Sequence, residues 1–478
     1  MTPKACDHCY QNKEKCSFGA GAKACTRCWN LRIVCSTSRK KKRKGRRPVL
    51  KTFGHGSLQV WELGRDDKAE AGNAEPGAPT LESKDAALRG FLEVIRRRST
   101  SQTALNAIDI LTDDVKFEIM HLPFVMGQSF MQDFRRAIFS VLCQSGPIIT
   151  DGYLAFLSLV VRCQPSRVHR VPADLRSGAT ALQNLRKMEI TRPQDALCAL
   201  FLGQALFVFE TLTDSSTNSA YSILQSALIS AKPWYPLLFR VPAFDTVTFC
   251  PVFVDIVGCL VHRKVPIIGL CLHDRVVVDR YAGLCSTLIP FLYSLCVQSH
   301  AAKSSAAMVH LDSTIPEYAG DCYTDIERSI ELWAPIIPPD FLTAYDKAER
   351  QLMMIQSNAY RLAALLVIHR LRFPLGVQDT LGQYYAICIF HEISSFFVHS
   401  NTRVVGAFPV TFPLFISMLE VEGPGEDLLE NLRQFPIQSI CLQKLYSFVQ
   451  HVRRIKESGA NVRWFDLVEN TLAYAVIP

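Results

Sequence analysis

Apolar residues recur at helical spacing through most of the chain beyond about residue 100. Two apolar faces show this spacing: Leu352, Ile355, Leu362, Leu366 and Leu371, and Leu442, Leu445, Phe448, Val449, Val452 and Ile455. Residues three, four and seven positions apart lie on one side of an α-helix, whereas a half-buried strand alternates with a period of two. Because such alternation is scarce, the pattern predicts a large all-α domain, to which we assign residues 86–478.

Proline and glycine separate the helical segments. Segments of about 10 to 25 residues are punctuated by Pro193, Pro233, Pro339, Pro374 and Gly423, since proline cannot continue a helix and glycine weakens one. Helices of this length are typical of a multi-helix bundle or of stacked helical pairs.

The longest uncharged stretch, residues 281–299, is long enough to span a membrane. Polar groups and a proline interrupt it at Ser286, Thr287, Pro290, Ser294 and Gln298. These interruptions disfavour a transmembrane helix. We interpret the stretch as a buried helical hairpin and expect no membrane partner.

The first 85 residues lack the helical pattern. Between Gly64 and Lys84 the chain has no aromatic residue and is rich in Gly, Ala, Pro and acids, a composition that cannot bury enough apolar surface to order the chain. We therefore predict a cysteine-rich module at 1–38, a basic arm at 39–51 and a flexible linker at 52–85.

A short heptad pattern occurs where the linker meets the helical domain. Leu81, Leu88 and Ile95 are seven residues apart, with Gly90 between them. A coiled coil needs at least about three heptads. An ordinary first helix of the domain is therefore the better interpretation.

Charge is concentrated at the N-terminus. Residues 1–51 carry 15 lysines and arginines against two acids, a net charge of +13, while the whole chain carries +8. Such a segment attracts polyanions, because each Lys or Arg that neutralises a phosphate releases a counterion. Nucleic acid is the favoured partner and an anionic membrane surface the second.

Six of the 17 cysteines follow a duplicated spacing. The unit C-x2-C-x6-C occurs at Cys6, Cys9 and Cys16 and again at Cys25, Cys28 and Cys35. Residues 1–6 contain no apolar core of a secretory signal, so closely spaced cysteines indicate metal binding rather than disulfides. The eleven cysteines from Cys143 to Cys441 occur singly, and we interpret them as small buried apolar side chains.

Ligand counting predicts a pair of metals. Each unit supplies three thiolates, but a tetrahedral zinc requires four. Two zinc ions need eight bonds, which six thiolates provide if two of them bridge. Soft thiolate donors favour two Zn²⁺ ions; an iron–sulfur cluster is the competitor, although it would use four cysteines and leave two over. His8 is not needed as a ligand, because six thiolates complete the count.

Residues 5–35, ACDHCYQNKEKCSFGAGAKACTRCWNLRIVC, resemble the Zn2Cys6 binuclear cluster of fungal transcription regulators. The resemblance implies a small irregular module in which Cys6 and Cys25 bridge the metals and the first helix enters the DNA major groove. It also implies that Lys13 reads guanines of a CGG-like triplet through their O6 and N7 atoms. Lys15 matches a second basic position and is assigned to phosphate.

Further phosphate contacts are expected from basic residues after the first unit. We assign this role to Arg27 and Arg32 and to the run Arg39, Lys40, Lys41, Lys42, Arg43, Lys44, Arg46 and Arg47. A run this dense in one charge cannot fold on itself and should stay extended. Two roles fit it: a nuclear localisation signal bound by an import receptor, and an arm that follows the phosphate backbone.

The helical domain carries a weaker resemblance to the same family. Three segments are similar to its C-terminal helical regulatory region: LRFPLG (371–376), FPLFISMLEVEG (412–423) and WFDLV (464–468). This resemblance implies a homodimer that acts with the transcription machinery. Aromatic residues such as Phe201, Phe207, Phe209, Trp234 and Tyr235 are interpreted as core, with an effector pocket as the alternative.

The sequence thus predicts a nuclear, sequence-specific DNA-binding regulator of RNA polymerase II genes, such as a secondary-metabolism or catabolic set. A co-regulator or interaction protein with a purely structural zinc cluster remains the alternative. Tyr10 and Asn12 stand where the family usually has Arg or Lys, and Glu14 adds a negative charge. An enzyme is not expected, because the chain has no Walker A loop, HExxH or GxSxG motif.

Overall fold

The computed structural model describes residues 5–6, 8–9, 15–19, 21–36, 93, 109–163, 173–213, 219–270, 275–309, 322–399, 406–459, 463–472 and 475–478. The chain divides into two compact units, residues 1–60 and 61–478. The basic arm, the heptad pattern and nearly all of the predicted linker and its flanks lie outside the described residues.

The N-terminal unit is irregular, as expected. Helix α1 (Thr26–Asn30) begins directly after Cys25, and Leu31 is its C-cap. The backbone of Arg32 then turns into the left-handed region with a φ of 53°. In the described part of this unit His8 and Cys9 are also helical, and the remaining residues form turns and extended segments around the cysteines.

The second unit is helical. Its first half contains α2 (Asp114–His121), α3 (Met131–Arg162), α4 (Leu175–Lys187), α5 (Pro193–Leu212), α6 (Ser219–Ala231), α7 (Tyr235–Leu238) and α8 (Asp245–His262). Its second half contains α9 (Ile289–Val309), α10 (Thr324–Leu332), α11 (Phe341–Ala344), α12 (Lys347–Arg372), α13 (Asp379–His399), α14 (Thr411–Met418), α15 (Pro424–Asn431), α16 (Pro436–Glu457) and α17 (Trp464–Thr471). Within the described ranges no strand forms, so the all-α prediction is confirmed.

The sequence sets many of these helix ends. Pro193 occupies the first turn of α5, where its missing N–H would have no partner anyway. α12 begins with a capping box, in which Asp346 and Glu349 each accept the other's backbone N–H. The predicted apolar faces of α12 and α16 are buried, apart from half-buried Leu362 and Ile455.

α3 is longer than the spacing of prolines and glycines predicted. It runs over 32 residues, with a break at Ser145, whose φ of −140° and ψ of 32° are not helical. Pro147 follows two residues later and has no N–H to donate, which is a common cause of a kink. The helix continues on both sides because each half packs in the core.

The expected hairpin at residues 281–299 is wrong. Asp279 and Gly283 form an isolated antiparallel bridge, a short 3-10 turn follows at Cys285–Thr287, and α9 then begins at Ile289. Close pairing of the Asp279 and Gly283 backbones makes a turn where the apolar pattern predicted a helix.

Two stretches are long and apolar enough to cross a membrane by composition, Pro193–Leu212 and Pro242–His262. The most apolar window is 72% buried inside the helical unit in the first stretch and 89% buried in the second. Both therefore match core helices of a packed domain.

The single cysteines are mostly buried, as expected. Cys198, Cys250, Cys259, Cys285, Cys296 and Cys441 are buried, Cys143, Cys163 and Cys388 are half-buried, and Cys322 is exposed. Burial raises the pKa of the Cys250 thiol to about 12, which keeps it protonated and unreactive. Cys271 lies outside the described residues.

Candidate metal centre

Each cysteine unit opens with a CxxC turn that leads into helix. His8 and Cys9 are helical, and α1 starts one residue after Cys25. The N–H of Cys9 donates to the Sγ of Cys6 at 3.4 Å, and the N–H of Cys28 donates to the Sγ of Cys25 at 3.4 Å. The first cysteine of each unit therefore acts as an N-cap, taking a donor that the first helical turn leaves unpaired.

The third cysteine of each unit returns to the first. The N–H of Cys6 donates to the Sγ of Cys16 at 3.3 Å, and the N–H of Cys25 donates to the Sγ of Cys35 at 3.3 Å. Each cysteine unit thus contains its own copy of the same two N–H···S hydrogen bonds. The duplication in sequence is a duplication in structure.

The two units bring their sulfur atoms into two overlapping groups of four. One group contains Cys6, Cys9, Cys16 and Cys25, and the other contains Cys6, Cys25, Cys28 and Cys35. Within each group all the Sγ atoms lie within 4.8 Å of one another. Cys6 and Cys25 belong to both groups.

The spacing of the sulfurs fits tetrahedral metal coordination. The Sγ of Cys6 lies 3.7 Å from that of Cys25 and 3.5 Å from that of Cys28, and the Sγ atoms of Cys9 and Cys25 are 3.7 Å apart. A tetrahedron with zinc–sulfur bonds of about 2.3 Å has sulfur–sulfur edges of about 3.8 Å. Each group could therefore hold a metal ion of this size.

Burial and hydrogen bonding shift the pKa values of the cysteine thiols. Cys6, Cys9, Cys25 and Cys28 are fully buried. The N–H of Cys28 lowers the pKa of Cys25 to about 6, and the N–H of Cys9 lowers the pKa of Cys6. Burial raises the pKa of Cys9 to about 12. The pKa is thus lowered at the two shared sulfurs, and the largest cause at each is the backbone N–H at its helix start.

The residues assigned to DNA are only partly described. Lys15, Arg27 and Arg32 are exposed on the N-terminal unit, as phosphate contacts would require. Lys13, together with Tyr10, Asn12 and Glu14, lies outside the described residues, and so does the run from Arg39 to Arg47. His8 is half-buried and belongs to neither four-sulfur group.

Three large apolar side chains that were not predicted as functional are exposed on the same unit. Trp29 is 77% exposed and Val34 is 89% exposed, with Leu31 at 52% between them. Soluble proteins rarely expose several large apolar side chains close together in sequence unless these contact a partner. The signal was present in the sequence as WNLRIV (29–34), in which apolar residues surround Arg32 without a core to bury them.

Comparison with known proteins found no match for this chain. No family model matches it, no curated protein matches it, and no solved structure matches it.

Proposed function

We propose that the protein is a sequence-specific DNA-binding regulator of transcription, whose basic N-terminal module is held in shape by two Zn²⁺ ions. The observation that carries this proposal is the sharing of Cys6 and Cys25 between the two four-sulfur groups. Six thiolates can complete two tetrahedra only by such sharing. The same two cysteines are the ones that the resemblance to the Zn2Cys6 family implies as bridges.

The metals act on structure in this proposal. One ion is bound by Cys6, Cys9, Cys16 and Cys25, and the other by Cys6, Cys25, Cys28 and Cys35. Zinc bound in this way supplies folding free energy to a module too small to have its own apolar core. The buried side chains of this unit's cluster are cysteines, with Phe18 packed against them, so the thiolates take the place of a core.

The charge of the module supplies affinity for DNA. A net charge of +13 over residues 1–51 and the exposure of Lys15, Arg27 and Arg32 support binding to the phosphate backbone. Lys13 is assigned to the base edges of a CGG-like triplet. The basic arm follows the duplex and directs the protein to the nucleus, where a homodimer acts with the transcription machinery on RNA polymerase II genes, such as a secondary-metabolism or catabolic set.

A co-regulator is the second candidate. The exposure of Trp29, Leu31 and Val34 favours it, because exposed aromatic and aliphatic side chains are typical of protein interfaces. In this alternative the zinc module binds a protein rather than DNA bases.

The test is an unbiased selection of random double-stranded DNA with the zinc-loaded full-length protein. Lys13→Ala is compared with Lys23→Ala, because Lys23 is exposed in the glycine-rich loop between the two cysteine units. We expect enrichment of a CGG-like triplet with the wild type and with Lys23→Ala, and loss of that enrichment with Lys13→Ala.

A flat selection, in which binding depends on salt but not on sequence, would contradict the regulator and favour the co-regulator. The selection is therefore repeated at several salt concentrations, because phosphate contacts weaken steeply with salt whereas base discrimination persists.

A further inference from the structure

The helical unit contains a cavity, partly open to solvent, that the proposed function does not use. Its volume is about 100 Å³. Its walls come mainly from α3, α5, α8 and α16, with Phe124, Leu224 and residues 280–281 and 477–478 completing them. Most of the lining is apolar, with Phe134, Phe156 and Val254 among it. Phe201 and Phe207 line the cavity, whereas Phe209, Trp234 and Tyr235 belong to the core outside it.

A charged side chain lines this apolar cavity. Arg280 is 7% exposed, and its guanidinium stacks on the ring of Phe134 at 4.3 Å. It donates from Nε to the carbonyl of Thr246 at 3.2 Å, from Nη1 to the carbonyl of Phe124 and from Nη2 to the Gln204 side chain at 3.5 Å. A guanidinium has five N–H groups, and the Cys250 thiol also lies in hydrogen-bond contact with Arg280, so one N–H has no acceptor among the described residues.

The charge of Arg280 has no ion-pair partner within the described ranges. Asp279 is the adjacent acid: its Oδ1 accepts the N–H groups of Tyr281 and Ala282, both at 2.9 Å, and its Oδ2 makes no hydrogen bond to any described residue. Burial raises the pKa of Asp279, and the charge of Arg280 opposes that rise. A buried cation without a close counter-ion is costly, and an anion in the cavity would relieve that cost.

Two hydroxyl groups on the cavity wall also lack partners. Oγ1 of Thr246 and Oγ1 of Thr211 are buried and make no hydrogen bond to any described residue. Thr246 lies beside Arg280, since its carbonyl accepts the Nε–H. A buried hydroxyl normally has a partner, so both groups indicate room for a polar atom that the protein does not supply.

We propose that this cavity binds a small carboxylate with an apolar body. The carboxylate lies against the guanidinium of Arg280 and accepts a hydrogen bond from the hydroxyl of Thr246, while the body packs among the aromatic rings. The volume of about 100 Å³ is smaller than the cavity of about 150 Å³ that accommodates benzene. Because the cavity is partly open to solvent, it suits an unbranched aliphatic acid that need not be fully enclosed. This binding site is independent of the zinc module and of DNA.

The experiment measures hexanoate binding to the full-length protein by calorimetry, with hexanamide as a neutral probe of matched size. We expect hexanoate to bind at least tenfold more tightly than hexanamide, because only the carboxylate neutralises Arg280. Hexanoate should also raise the Tm, since a ligand that binds only the folded state stabilises it.

Two variants locate the site without removing Arg280, whose contacts also hold the fold. Ala205→Leu places extra side chain into the cavity and should weaken hexanoate binding more than tenfold, while the unliganded protein keeps its circular dichroism spectrum. Thr246→Val removes the hydroxyl at constant shape and should weaken binding several-fold.

Three results would each overturn the proposal. The first is no binding of hexanoate up to about 10 mM, where a site with a Kd of about 1 mM would be mostly filled. The second is equal binding of hexanoate and hexanamide. The third is unchanged hexanoate binding in folded Ala205→Leu, which would place the probe elsewhere.

Discussion

The Sγ atoms of Cys6 and Cys25 lie 3.7 Å apart, and both atoms belong to each of the two four-sulfur groups. Either cysteine unit alone has three sulfurs and cannot complete a tetrahedron. The second unit supplies the missing sulfur to the first through Cys25, and the first returns one through Cys6. Metal binding would therefore make the two cysteine units depend on each other for folding.

The shared and unshared cysteines should differ in their effect on metal content. Cys6→Ser removes a sulfur from both groups, whereas Cys16→Ser removes a sulfur from one. We expect the wild type to contain two zinc ions per chain, Cys16→Ser to lose one preferentially, and Cys6→Ser to lose both. Native mass spectrometry together with elemental analysis measures the count.

Cys322→Ser is the control for this series, because Cys322 is exposed and belongs to neither group. Its metal content should equal that of the wild type. Identical losses from Cys6→Ser and Cys16→Ser would show that sharing has no energetic consequence.

Lys15 should contribute to DNA binding through phosphate alone. It is exposed beside the cysteine cluster, so Lys15→Ala should weaken binding about equally for all sequences. The slope of log binding constant against log salt should fall by about one. Titrations at several salt concentrations measure the slope; a change in the selected triplet would instead assign Lys15 to a base.

His121 should make the helical unit sensitive to acid. It is fully buried; its Nδ1 lies 2.8 Å from the carbonyl of Phe117 and its Nε2 lies 3.0 Å from the hydroxyl of Tyr153. A carbonyl only accepts, so Nδ1 carries the proton and Nε2 accepts from Tyr153. Burial lowers the pKa of His121 from 6.5 to about 4.

The sign of the effect follows from the two pKa values. Above pH 6.5 the imidazole is neutral in both folded and unfolded chains, and its contribution to stability is fully present. As the pH falls from 6.5 towards 4, the unfolded chain binds a proton at His121 that the folded chain does not bind, so the free energy of unfolding decreases. Between pH 7 and pH 4.5 this loss amounts to about 2 to 3 kcal/mol.

Denaturant unfolding followed by helical circular dichroism measures this pH dependence. His121→Gln should make it shallower by about that amount, while His391→Gln, at an exposed position of α13, should leave it unchanged. The same pH dependence in wild type and His121→Gln would contradict the assignment.

Breaking the ion pair between Arg370 and Glu420 should lower the free energy of unfolding more than breaking the other described ion pairs of the helical unit. Both side chains are 1% exposed, and the Nε of Arg370 donates to Glu420 at 2.7 Å. The same guanidinium contacts Asp379 at 2.8 Å. Arg370→Met leaves the Glu420 carboxylate buried without its partner, which should lower the free energy of unfolding by about 3 to 5 kcal/mol.

Arg370→Met combined with Glu420→Met should recover part of that loss, because no charge is then stranded at Glu420 and Asp379 keeps its contact with Lys456. Arg433→Met is the control, since its pair with Glu430 is exposed and should contribute almost nothing. Equal losses from Arg370→Met and Arg433→Met would contradict the role of burial.

The sequence by itself determined the features that depend on local spacing. Duplicated C-x2-C-x6-C units predicted a sulfur cluster, and apolar residues at helical spacing predicted α12 and α16. Pro193 and Gly423 also marked the starts of α5 and α15. These features are readable because they follow from residues within about one or two turns of each other.

Only the tertiary structure decided which distant groups meet. No local pattern shows that Arg370 pairs with Glu420 fifty residues later, or that Arg280 lines an apolar cavity and makes no ion pair with any described residue. The apolar stretch at 281–299 was predicted as a hairpin, because apolar composition alone does not distinguish helix from buried turn. Packing among several helices selects these neighbours, and its free energy is not encoded in the spacing along one segment.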